Sequence, residues 1–175
     1  MSCTQDEIRQ QPETLRELLA QEIDPIREIV AELRQHDIRY VLIVARGTSD
    51  NAARYAKYLF GSQLGLQVAL ATPSLFTLYD QPPKLESALV IGVSQSGQSE
   101  DIVSVLAEAQ RQRAPTLAVT NYPDSPLANH ADHIINLHAG VEQAVAATKT
   151  YTAQLTALAL LTAVWLDVDD RLDEL

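Results

Sequence analysis

Short unbroken runs of apolar residues alternate along this chain with longer stretches whose apolar positions fall at helical spacing. Residues 40–45 (YVLIVA), 88–93 and 116–120 are runs of the first kind. Continuous apolar runs of this length predict strands buried on both faces. Residues 67–71 and 133–137 are briefer strand candidates. Between them, residues 12–36 carry Leu15, Leu18, Leu19, Ile26, Ile29, Val30 and Leu33 at helical intervals. Pro25 divides that stretch into two helices or one kinked one, and residues 1–11 are polar and expected to be loose. Residues 51–64 predict a helix with Ala52, Tyr55, Ala56, Leu59 and Phe60 on one face. A further helix runs from the end of the 94–99 loop to about residue 113, a long apolar one spans 148–166, and residues 73–80 form a helical turn. Gln81-Pro82-Pro83 and residues 121–124 are turns by composition. The acidic DDRLDEL at 169–175 is a solvated tip. Strands alternating with helices imply right-handed crossovers and a parallel sheet covered on both faces, an α/β three-layer sandwich. No repeat, low-complexity tract or linker divides the chain.

In such sheets ligands sit beyond the carboxyl ends of the strands. The segment Ser94-Gln95-Ser96-Gly97-Gln98-Ser99 lies at such an end, directly before a helix. Hydroxyls, backbone N–H groups and the helix dipole together suit a phosphate, with no lysine or metal required. The plainer alternative is a polar loop in which Ser99 caps the helix. Gly47-Thr48-Ser49 holds the corresponding place one βαβ unit earlier, and Arg46 beside it could face a phosphate or a surface carboxylate. The third segment runs from Gly140 to Lys149. There Glu142 could exchange a proton or bind a sugar hydroxyl, or simply serve as negative charge near a helix N-terminus. Lys149 could approach phosphate or form an imine, or be an ion-pair residue. His130, His133 and His138 lack the spacing and carboxylate company of a metal site.

Charge narrows the classes of partner. The 175 residues carry a formal net charge of −10, with 46% hydrophobic and 21% charged residues. So acidic a surface argues against nucleic acid, and a bound phosphate must be held by local dipoles. Cys3 is the one cysteine, which excludes an internal disulfide. The N-terminus lacks the features of a secretory signal, and the apolar run 155–166 is too short to span a bilayer. A cytoplasmic protein is expected.

Taken together, RGTSDNAA at 46–53, SQSGQSED at 94–101 and EQAVAATKTYTAQL at 142–155 resemble the SIS (sugar isomerase) domain family. The likeness is greatest to the first SIS domain in the isomerase part of glutamine–fructose-6-phosphate aminotransferases, and to amino-sugar phosphate isomerases and deaminases without a glutaminase domain. The opening EIRQQPETLRELL is similar too. The resemblance implies a five-stranded parallel sheet of flavodoxin-like type. It implies an N-terminal helical segment at 1–36, an SIS domain at 37–168, and a tail at 169–175 where a longer two-SIS protein would be cut. Phosphate contacts would fall on Ser94, Gln95, Ser96 and Ser99, first-loop contacts on Thr48 and Ser49, and a backbone contact to the sugar on Val145. Ala147 stands where relatives often carry serine. The implied ligand is a hexose or hexosamine 6-phosphate. The implied context is aldose–ketose isomerisation, with or without amine transfer, and no cofactor. Glu142 is the one acid/base candidate, since the family's imine-forming lysine and proton-shuttling glutamate belong to a second domain. Homodimerisation is expected. A regulatory effector-binding module, or a module for dimerisation alone, is the alternative.

Overall fold

A computed structural model describes residues 2–166. Five strands form one parallel sheet: β1 (Tyr40–Ala45), β2 (Gln67–Leu70), β3 (Ala88–Ser94), β4 (Thr116–Thr120) and β5 (His133–Asn136), in the order β2-β1-β3-β4-β5. Every residue of β3 and β4 is buried, as their unbroken apolar runs require. The edge strands β2 and β5 are partly exposed. The five apolar runs of the sequence are the five strands, with ends shifted by a residue or so.

Alternate side chains along each strand feed two cores. Val41, Ile43, Leu89, Ile91, Leu117 and Ile135 pack beneath α1 (Cys3–Leu33), α2 (Thr48–Leu59) and α5 (Lys149–Trp165). Leu42, Val44, Val90 and Ala118 pack on the other face beneath α4 (Glu100–Arg111), with the short α3 (Ser74–Thr77) contributing Phe76. The result is the three-layer α/β/α sandwich with a flavodoxin-like strand order. At Gly92 a Cβ would lie 2.8 Å from Leu106 and 2.9 Å from Leu127, so α4 approaches the centre of the sheet more closely than any side chain would allow.

Two expectations are corrected. The N-terminal segment is neither loose nor divided: α1 is a single helix of 31 residues that begins at Cys3, closed by a capping box between Ser2 and Gln5. Pro12 and Pro25 lie inside it, both on the exposed face. There water can reach the carbonyls that a proline leaves without an N–H partner. The buried stripe of Leu18, Ile26, Ile29, Val30 and Leu33 continues past both prolines, and that burial holds the helix together. The second helix starts at Thr48 rather than residue 51, and Phe60–Leu64 follows it as a π-helical turn. Thr48 and Ser49 therefore sit in a helix first turn, not in a loop. The acidic tip at 169–175 lies outside the described residues. Among the described residues no helix is long and apolar enough to cross a membrane.

Candidate functional site

The strand order reverses between β1 and β3. From β1 the chain goes outward to β2, then returns to build β3, β4 and β5 on the other side. At such a switch point the loops leaving the two strands diverge to opposite faces and open a crevice. Ala45 pairs with Val93 in the ladder, so the segments beginning at Arg46 and Ser94 start side by side. Arg46 meets Asp101 in the first turn of α4 at 3.1 Å, across this opening. It therefore partners a carboxylate, the second of the options its sequence position allowed.

The 94–99 loop turns two of its carbonyls away, and its serine oxygens take two of its own N–H groups, which leaves their hydroxyl protons to give. The carbonyl of Gln95 accepts from the N–H of Asn121 at 3.2 Å and from the Thr120 hydroxyl at 3.4 Å. The carbonyl of Gly97 accepts from Leu127 at 3.1 Å. Both point into the β4–β5 connection. Ser94, buried at the end of β3, accepts from the N–H of Gly97 at 3.1 Å, and Ser96 accepts from Gln98 at 3.3 Å. Gly97 has φ +63°, and a Cβ there would sit 2.1 Å from the Ser125 hydroxyl. Only glycine closes this turn. Ser99 is the N-cap of α4, yet its hydroxyl makes no capping bond. The Ser99 carbonyl takes the N–H of Ile102 at 3.0 Å, while the N–H groups of Glu100 and Asp101, ahead of it, have no intrahelical acceptor. An anion placed there meets several donors and the positive end of a helix. Asp101 is in the same turn, but its charge is paired with Arg46.

Thr48 is exposed at the start of α2, whose N-cap Gly47 has φ +58° and no side chain to cap with. Ser49 is buried, and its oxygen accepts from Gln154 Nε2 on α5 at 3.0 Å.

The third segment is held from several sides. Glu142 caps α5: one carboxylate oxygen accepts from the N–H of Thr148 (2.8 Å), its hydroxyl (3.1 Å) and the N–H of Thr150 (3.2 Å), while the other accepts from the Thr150 hydroxyl. Burial opposes its charge, but these donors outweigh it and hold the carboxyl below the usual range. Glu142 thus takes the helix-terminal place that its position also allowed. Glu7 of α1, 4% exposed, accepts from the N–H of Gln143 at 2.5 Å and from that of Ala144. Val145 is fully exposed. Lys149 is buried under α1 and donates to Gln10 at 2.8 Å. Asn121 ties this segment to the serine loop. Its backbone N–H holds Gln95, and its side chain accepts from Ala139 at 2.8 Å and donates to Gly140 at 2.7 Å.

The three segments are therefore bound to one another: first to second by Arg46–Asp101, second to third by Asn121, and third to first by Gln154–Ser49. Glu7, Asn121, Ser125 and Gln154 were not singled out from the sequence. Each acts on a residue far away or through a fold-dependent contact, so no local pattern marks them. Of the histidines, His138 contacts Glu22 at 2.6 Å and His133 approaches Glu32 at 3.7 Å. Among the described residues no cluster of three or more His, Cys, Asp or Glu is placed to hold a metal ion. A separate groove of about 660 Å3, lined by Arg39, Tyr40, Lys57 and Gln67 among others, lies at the opposite, amino-terminal end of β1 and β2.

Comparison with known proteins gives the family and the fold. Residues 35–164 match the model of the SIS domain. The glutamine–fructose-6-phosphate aminotransferase (isomerizing) of Symbiobacterium thermophilum is 38% identical over 169 residues, covering 91% of this chain. A candidate phosphosugar isomerase from Silicibacter pomeroyi DSS-3 superposes with a TM-score of 0.94 at 40% identity, over 99% of this chain and 53% of that one. The C-terminal domain of glucosamine-fructose-6-phosphate aminotransferase from Francisella tularensis gives a TM-score of 0.83 at 27% identity, over 99% and 51%. The chain spans 27% of the Symbiobacterium protein and about half of each structure.

Proposed function

The chain belongs to the SIS domain family, and on that premise we propose that it binds a hexose or hexosamine 6-phosphate at the β1/β3 switch point. Ser94, Gln95, Ser96 and Ser99 form the phosphate cradle, with Thr48 and Ser49 facing it from the first turn of α2. The backbone around Val145 lies against the sugar. The observation that carries this reading is the N-terminus of α4, not capped by a side chain, behind a loop whose Gln95 and Gly97 carbonyls are turned away. Fixing the phosphate fixes the carbon skeleton for proton transfer between adjacent carbons. The chemistry this chain serves is aldose–ketose isomerisation, with or without amine transfer, and the relatives named above support that class. Glu142 must give up the hydroxyls of Thr148 and Thr150 before it can move a proton. Its part in this reading is first to shape the segment that presents Val145. The same reading has the chain in the cytoplasm, paired with a second copy of itself and free of nucleic acid, consistent with its net charge of −10.

Calorimetric titration with glucosamine 6-phosphate, fructose 6-phosphate and inorganic phosphate tests it. Binding of the sugar phosphates is expected. In Ser96→Ala/Ser99→Ala the affinity should drop about 100-fold, two hydrogen bonds to a charged oxygen being lost, with the melting temperature preserved. Silence of the unmodified chain toward all three ligands would end the proposal.

A further inference from the structure

Gln154 lies in the second turn of α5, 1% exposed, among the buried residues Ala153, Ala157 and Leu158. An amide in such surroundings is costly unless its polar atoms are bonded. It makes one bond, from Nε2 to the Ser49 oxygen at 3.0 Å, across 105 residues of sequence. Its Oε1 is buried and finds no partner among the described residues. Turning the amide over would let Ser49 donate to Oε1, but would strand an NH2 group, with two donors, where the bare oxygen now sits. As it stands the amide leaves its oxygen and one N–H without a partner; turned over it would leave two N–H donors, and an unpaired carbonyl is the milder defect than a second unpaired donor.

The direction of this bond decides what Ser49 can do. A hydroxyl has one proton to give. With Gln154 donating to its oxygen, the Ser49 proton is not drawn into the core, and no acceptor among the described residues takes it. Ser49, 7% exposed, sits in the first turn of α2 behind the uncapped Gly47, on the segment leaving Ala45, which pairs with Val93 just before the serine loop. Its proton is thus left for an acceptor arriving from outside. Without Gln154, a serine in this place would turn its hydroxyl to a nearby backbone carbonyl.

We propose that Gln154 is a positioning residue, which orients the Ser49 hydroxyl as a donor toward the phosphate of the bound sugar. This rests on the phosphate-binding reading above and adds a residue that never touches the ligand.

The test is a double-mutant cycle read by titration with glucosamine 6-phosphate, using the unmodified chain, Gln154→Leu, Ser49→Ala and the double variant. Each single change should weaken binding about ten-fold, the worth of one hydrogen bond to a charged oxygen. The double variant should bind no more weakly than Ser49→Ala alone. Gln154→Leu should melt no lower than the parent, since it removes an unpaired buried oxygen. Gln154→Glu covers the case in which leucine disturbs packing. Its carboxylate takes the Ser49 proton, so it too should bind more weakly, and its loss should also vanish on the Ser49→Ala background. Parent-like affinity in the Gln154 variants overturns the proposal, as does a full additional loss on the Ser49→Ala background. Those results, with Ser96→Ala/Ser99→Ala still impaired, leave phosphate binding standing. An unmodified chain that does not bind removes both.

Discussion

Helices α4 and α5 both begin at the carboxyl edge of the sheet, and their first turns are finished in opposite ways. In front of α4 stands a loop of serines, and the N-cap hydroxyl of Ser99 is not used for capping. In front of α5, the carboxylate of Glu142 reaches six and eight residues ahead to take the N–H groups of Thr148 and Thr150. Glu7 takes those of Gln143 and Ala144 from another helix. A helix N-terminus is a fixed partial positive charge. Where the chain supplies its own carboxylate, that charge is consumed in folding and the segment is held in one shape. At α4 the first turn carries Glu100 and Asp101, but no carboxylate caps it and Asp101 is paired with Arg46, so the charge is left for a ligand. Both segments are rich in small residues, so smallness does not distinguish a binding end from a structural one. The capping carboxylate does.

Closing the open end breaks the contrast most severely. Ser99→Asp places a carboxylate where the phosphate is proposed to sit. It should abolish detectable binding of glucosamine 6-phosphate in calorimetry, while the melting temperature holds or rises, because Ser99 has no capping bond to lose and Asp is a good N-cap. Retained binding would show that α4 is not the phosphate-facing helix. Next in size is Gly97→Ala, which forces a left-handed φ and a clash with Ser125. A loss of about 2–3 kcal/mol in urea unfolding is expected, together with loss of ligand binding. A parent-like unfolding midpoint would mean that the loop relaxes freely.

Opening the closed end is milder. Glu142→Gln weakens the cap of α5 and should cost about 1–2 kcal/mol. Its pH dependence sharpens the point. The folded-state carboxyl titrates below its ordinary value of 4.5. Its stabilisation is therefore present above that value and fades as pH falls through the lower, folded-state one. The stability difference between the parent and Glu142→Gln should shrink as the buffer is taken from pH 6 to about pH 3; a difference that stayed constant would argue against a charged cap. Smallest of all is Arg46→Ala. The arginine is 64% exposed in its pair with Asp101, so its removal should shift stability by about 0.5 kcal/mol or less. It should weaken ligand binding only modestly, by leaving the Asp101 charge unpaired near the phosphate. A large loss of affinity would mean that Arg46 itself contacts the ligand.

Much of the fold is legible because its causes are local. Strands such as 88–93 announce themselves by unbroken apolar runs, and the order of strands and helices limits the sheet to a few topologies. The extent of α1 is not legible in that way. Its two prolines and polar first turns point to a break, and the helix survives because its buried stripe docks on α5, which is made more than a hundred residues later. The serine loop is visible as a candidate because strand, small polar residues and helix follow one another directly. Its supports are not visible. Asn121 and Ser125 look like ordinary turn residues until Gln95 and Gly97 are found resting on them.

By itself the sequence determines that donors rather than cations gather at the end of β3, since residue type and neighbouring periodicity are properties of a short stretch. Which helix end stays open, and which way the Ser49 hydroxyl faces, is decided only in three dimensions. Both depend on whether a carboxylate or an amide from a distant segment arrives within hydrogen-bonding reach, and packing of the helices on the sheet alone sets that.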